Sequence, residues 1–227
     1  MTQSTDAMIR ELAADLAPVK PLGRVRDTVL TTLGISLPFY GYWLITSGLR
    51  EQFRQGGMPD FVYSMVAIAL LLIAVGGLAA GLAAVIPGRE DDARLGRNIL
   101  FAGLALGILV LFTQWSLGIT AVLDVSGPSV QCAMAAGMLA IPSALLVARF
   151  TFMARGAARH FPRALSLACA GGMGVSSGVV HLTCSHADPL HLVLGHAFAP
   201  FAGGLVVLIV ASITLGIGTR LRQADRS

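Results

Sequence analysis

The residues best suited to chemistry crowd into the stretch from His181 to His196, HLTCSHADPLHLVLGH, which holds four of the five histidines and one of the three cysteines. A second thiol, Cys132, stands at the start of another apolar run. Thiolate sulfur and imidazole nitrogen are ligands for soft or borderline ions such as Cu(I), Zn(II) or Cd(II). Two thiols in an oxidising compartment can instead join as a disulfide. Cys132, Cys184, His181, His186, His191 and His196 are therefore the candidate metal- or redox-sensing residues. A plainer account is histidines resting where helix ends meet water, beside two unconnected small cysteines. Metal is the preferred chemistry, because a disulfide needs no histidine and four are present.

Spacing constrains this set. His181 lies three residues before Cys184 and shares its face if the helix continues that far, while His186 falls in the loop beyond. Asp188-Pro189 reads as the cap and first residue of the next helix, which explains Asp188 without chemistry. His191 and His196 are five apart, about 140° around an α-helix, so they meet at one atom only with help from bending or from neighbouring helices. Cys169 and Cys184 are separated by about 22 Å along one helix and cannot bond; Cys169 reads as an inert core residue.

The elements that must position these residues are membrane spans. With 55% hydrophobic and 12% charged residues and a mean hydropathy of +0.76, the chain is too apolar for a soluble domain. A helix rising about 1.5 Å per residue needs about 20 residues to cross the hydrocarbon core. Six charge-poor runs meet that need, at 28–48, 61–86, 98–118, 131–153, 164–183 and 191–219. The expected fold is an all-α membrane protein: a six-transmembrane-helix bundle at 28–219, preceded by a short N-terminal amphipathic helix within 1–27 and followed by a tail at 220–227.

Cations orient the bundle. Of the 16 Lys+Arg, four precede the first run, three lie between the second and third, four around the end of the fourth and three in the tail, leaving Arg50 and Arg54 on the other side. Short positively charged loops stay in the cytoplasm, so both termini are expected inside and the Cys/His stretch outside. A multi-pass membrane protein with both termini in the cytoplasm follows from the same reading. The basic character thus reports topology, and direct nucleic-acid binding is an unneeded explanation.

Small residues in the second run (Gly76, Gly77, Gly81) and third (Gly103, Gly107) predict close helix packing. Pro38, Pro142 and Pro200 predict bends, with Phe39, Tyr40, Tyr42 and Trp43 packing into the bundle. PGREDDARLGR, residues 87–97, reads as a tight self-neutralised loop rather than a metal or phosphate site. HExxH, P-loop and GxSxG motifs are missing, and no pair of carboxylates falls within the spans, so an enzyme is not expected.

Toward the N-terminus, Ile9, Leu12, Ala13 and Leu16 share one helical face while Arg10, Glu11 and Asp15 lie off it, and Pro18 ends the pattern. So short a helix needs a partner surface, either a protein or the inner leaflet. This N-terminal helix with its PV element (Asp15, Leu16, Ala17, Pro18, Val19), the six spans, Cys132 opening the fourth and Cys184 followed by histidines resemble the NrsF-type membrane anti-sigma factors of bacteria. The resemblance covers essentially the whole chain on a few specific marks. It implies that Ile9, Leu12, Ala13, Asp15, Leu16, Pro18 and Val19 hold an extracytoplasmic-function sigma factor at the membrane, and that Cys132 and Cys184 are needed for its release under stress. His181 and His186 lie outside that pattern. The alternative is a small multi-pass metal or haem transporter or redox membrane protein, which uses the same Cys/His cluster but needs no N-terminal partner.

Overall fold

A computed structural model of the chain describes residues 25–51, 56, 60–116, 130–141, 161–186, 188, 191–207, 209–210 and 213. Among them every regular element is helical: α1 (Val25–Ser47), α2 (Phe61–Ala83), α3 (Glu90–Ser116), α4 (Val130–Ile141), α5 (Phe161–Thr183) and α6 (Leu192–Val207). Three helices are long and apolar enough to cross a membrane, over Phe61–Ala83, Glu90–Thr113 and Pro162–Thr183. α1, α4 and the start of α6 form where the first, fourth and sixth runs were expected. The expected N-terminal helix with its partner-binding residues 9–19, the later half of the fourth run and the tail lie outside the described residues.

α2 is the central helix and packs chiefly against α3 and α5. Apolar side chains gain little by leaving lipid for one another, so helices there associate through backbone approach at small residues. A Cβ on Gly77 would lie 2.6 Å from the Gly171 Cα of α5, and one on Gly76 2.6 Å from the Gly96 carbonyl of α3. Gly81 likewise meets Ala168, and Gly103 sits 2.8 Å from the Ala69 carbonyl by the same measure. Gly107 is the exception among the expected seam residues: its nearest neighbour, Ala197 Cβ, is at ordinary contact distance, 3.5 Å.

Large apolar side chains face outward along the same helices, among them Ile45, Phe61, Leu71, Leu109, Phe112 and Met138. Lipid is the solvent that suits such a surface. Two of the aromatics near Pro38 belong to it as well. Phe39 and Tyr42 are exposed, whereas Tyr40 is buried with its hydroxyl 3.3 Å from Ser176 Oγ and Trp43 Nε1 donates to Thr183 Oγ1 at 3.0 Å. Adjacent residues on one helix diverge by about 100°, so the aromatic group is split between bundle and membrane.

The segment at 87–97 departs from the expected loop. α3 begins at Glu90, and only residues 84–89 turn the chain, with Gly88 at φ 79° in a conformation that favours glycine. Glu90, Asp91 and Asp92 occupy the first turn of α3, where negative charge meets the positive end of the helix dipole. Arg89 pairs with Asp92 at 2.8 Å and Arg94 with Asp91 at 3.1 Å, so the acidic run is neutralised locally, as the charge pattern suggested.

Two apolar clusters carry the Cys/His end. Tyr63, Val66 and Leu70 of α2, Val110 of α3, and Leu192, Val193 and Ala197 of α6 form one. Ala135 and Ala136 of α4 pack with Val180 of α5 in the other, flanked by Trp43 and Cys132. Replacing Gly77 by Val should cost roughly 1–3 kcal/mol by forcing α2 from α5. Gly137→Ala, where a Cβ meets nothing within 4 Å, should be neutral. Reversible unfolding in mixed micelles would measure both, and equal stability of G77V and wild type would contradict the seam.

Candidate metal centre

The candidate site is assembled by three elements. α4 brings Cys132 near its start, the end of α5 brings Cys184, and the start of α6 brings His191 and His196. The helical bond from the Cys184 N–H to the Val180 carbonyl, 2.9 Å, carries α5 as far as the thiol. Asp188 caps the next helix as expected, its Oδ1 accepting from the His191 N–H at 2.8 Å and its carbonyl from the Leu192 N–H at 3.0 Å.

The two α6 histidines meet because the helix is not α-helical there. Leu192–Ala197 is a π-helical turn, closed by a bond from the Phe198 N–H to the Val193 carbonyl at 3.0 Å. In a turn closed by i→i+5 bonds the helix is wider and each residue turns through a smaller angle, so the angle that separates His191 from His196 in an α-helix is much reduced. Pro200 explains why the turn widens at this place. It has no N–H for the His196 carbonyl four residues back, and its ring crowds that carbonyl. The bend expected from Pro200 thus takes the form of a π turn that aligns two imidazoles.

The resulting distances suit a tetrahedral ion. Cys132 Sγ and Cys184 Sγ are 3.7 Å apart, Cys184 Sγ and His191 Nε2 3.2 Å, and His191 Nε2 and His196 Nε2 3.3 Å. All four ligand atoms lie within 4.8 Å of one another. Metal–sulfur and metal–nitrogen bonds of usual zinc length, arranged tetrahedrally, place the sulfurs about 3.8 Å apart, the nitrogens about 3.3 Å and sulfur from nitrogen about 3.6 Å. Cys184, His191 and His196 are buried and Cys132 is half-buried, so the group is shielded from water. Thiolate is the form a metal takes. The cluster could hold a metal ion.

His181 and His186 do not join the four. His186 is exposed, with Nδ1 4.0 Å from Cys184 Sγ. His181 is buried beside the cluster, its ring 5.3 Å from that of His196, but its Nε2 donates to the Tyr63 carbonyl at 3.1 Å. The Tyr63 hydroxyl returns a bond to the His181 carbonyl at 2.9 Å, and the two rings stack at 3.9 Å. This reciprocal clamp joins α2 to α5 directly under the thiol. Arg50, buried after α1, lies over the Tyr63 ring with its guanidinium 4.7 Å from the ring centre, and its backbone N–H donates to the Leu182 carbonyl at 3.0 Å.

Tyr63 and Arg50 are supports that sequence reasoning did not select. Asp60 caps α2, its carboxylate accepting from the Tyr63 N–H at 2.7 Å, and no local pattern marks the ring that stacks on a histidine over a hundred residues away.

The described chain is thus a membrane-type helical bundle with a buried two-sulfur, two-nitrogen cluster near one end. No protein-family model, curated protein or solved structure matches it.

Pro200→Ala should restore the donor for the His196 carbonyl and let the π turn relax, turning His196 away while leaving every ligand in place. Affinity for Zn(II) or Cu(I) should fall about tenfold, the size of effect typical of outer residues that orient ligands. Competition titration with a chromophoric chelator would measure it, and an unchanged affinity would show that the turn does not align the site.

Proposed function

We propose that the chain is a membrane anti-sigma factor that sequesters an extracytoplasmic-function sigma factor through its N-terminal helix and releases it when the outer Cys/His site binds a soft or borderline metal ion. The observation that carries the sensing part is the convergence of the ligand atoms of Cys132, Cys184, His191 and His196 to within 4.8 Å of one another. The sigma-binding part rests on the one-sided N-terminal pattern and on the resemblance it shares with the six runs and the two cysteines. Because the ligands come from α4, α5 and α6, an ion held by all four ties three elements at one end of the bundle.

Oxidation is a second reading, favoured by the 3.7 Å between two free thiols. A peroxide would take two electrons from the pair, the thiol protons would leave and a sulfur–sulfur bond would form. The histidines distinguish the readings, since only metal binding uses His191 and His196.

Cys132→Ser and Cys184→Ser should each abolish the transcriptional response and metal retention by the purified protein, while Cys169→Ser, in an apolar cluster of its own, should change neither. His191→Ala with His196→Ala should lower metal affinity by tenfold or more, on the order of 10–100-fold. Equal metal content in wild type and the double cysteine variant, together with an oxidant-dependent Cys132–Cys184 crosslink, would decide for the redox reading.

Leu12→Asp or Leu16→Asp should release the partner by placing an unpaired charge on the binding face. The expected result is constitutive target transcription with normal membrane insertion. Pull-down from detergent extracts would show a stoichiometric sigma factor with wild type and none with the variants. If wild type brings down no sigma factor but still binds metal, the transporter or redox-protein class is the better account.

A further inference from the structure

At the end of the bundle opposite the Cys/His cluster, the close packing of α2, α3 and α5 gives way to a cleft of about 710 Å³. Its floor is apolar and made of small residues from the end of α2 and the starts of α3 and α5, including Ala80, Ala83 and Ala164. Its rim carries Arg94, Arg97 and Arg163 against a single acid, Glu90. Glu90 is engaged locally, accepting from the Gly88 N–H at 3.3 Å, and Arg94 is paired with Asp91. Arg97 and Arg163 are exposed and have no ion pair among the described residues.

Their depth is informative. Arg97 immediately precedes the charge-free run of α3 and Arg163 that of α5, so both guanidinium groups stand where hydrocarbon gives way to headgroups. Leu95, adjacent to Arg94 on the same helix, is 60% exposed, which places an apolar side chain toward lipid at that level. Two cations without an ion pair among the described residues, above a floor of alanines and Leu167, are complementary to an anion that carries a hydrocarbon tail. A soluble anion would leave the apolar floor without a partner.

We propose that this cleft is a binding site for an anionic phospholipid, with the phosphate ester held by Arg97 and Arg163 and the start of an acyl chain lying on the alanine floor. Arginine suits this role because its planar donors engage two phosphate oxygens together. The site would select lipid by headgroup charge at the cation-rich face. It is independent of the metal cluster and of any sigma factor.

The test uses the full chain purified in neutral detergent, with lipid retention followed by native mass spectrometry. Wild type should retain phosphatidylglycerol over phosphatidylcholine, with a preference of roughly fivefold for each arginine engaged. R97Q/R163Q should reduce the preference to near parity, and R97K/R163K should keep most of it. Equal retention of the two lipids by wild type would overturn the proposal without reliance on any variant. A preference unchanged in R97Q/R163Q would overturn it for these arginines. Displacement of phosphatidylglycerol by millimolar inorganic phosphate would make the site one for a free anion and overturn the lipid assignment. Unchanged zinc binding by R97Q/R163Q would establish that the other end of the bundle remains folded.

Discussion

Backbone approach along the glycine face of α2 is the constraint on which the rest of the bundle depends. In a bilayer, helices do not gather because their side chains flee the solvent; they gather where small residues let long stretches of backbone touch. Gly76 admits α3, while Gly77 and Gly81 admit α5. With both neighbours seated, the start of α2 and the far end of α3 form the apolar bed on which the first turn of α6 lies, at Tyr63, Val66, Leu70 and Val110. The position of His191 and His196 therefore follows from glycines several turns away.

Around the cluster, several polar groups hold one another in an apolar setting, while Arg50 Nη1, His181 Nδ1 and His196 Nδ1 are buried without a hydrogen-bond partner among the described residues. A buried polar atom without a partner is costly, and its cost rises as water is excluded. Tyr63 and His181 exchange two bonds between α2 and α5, Trp43 ties α1 to the last residue of α5, and the Arg50 backbone N–H donates to the carbonyl of Leu182 beside it. These contacts converge on residues 181–183, immediately before Cys184. They make the thiol the end point of a braced segment, while its partner Cys132 is only half-buried on the shorter α4.

The two ends of the bundle have opposite chemistry on shared helices. α5 begins beside the arginine-rimmed cleft, at Arg163, and leads at its other end to Cys184. A helix of this length is about 34 Å long, enough to span the hydrocarbon core. The Cys/His ligands and the arginine-rimmed cleft are thus separated by the membrane-facing belt of exposed apolar residues that covers the bundle between them.

Much of this was legible in the residues alone. Charge-free runs, the lack of acids and bases within them and the identity of the ligand atoms depend on composition and order, and the Asp188 cap was read from the adjacent pair Asp188-Pro189; none requires knowledge of a distant partner. The helical class and the meeting of Cys132 with Cys184 followed from placing both near one face. Tertiary structure decided which of six candidate side chains converge. Periodicity assigns a residue to a face only while the helix keeps 3.6 residues per turn, and Pro200 breaks that rule, so His191 and His196 align although their spacing forbids it in an α-helix. His181 shares the helical end with Cys184, yet its ring turns to Tyr63, because the carbonyl and aromatic face it binds are supplied by α2. The start of α3 at Glu90 and the outward placement of Phe39 and Tyr42 were likewise settled by helix ends and neighbours, since a sequence pattern orients side chains about their own axis and cannot say what lies opposite.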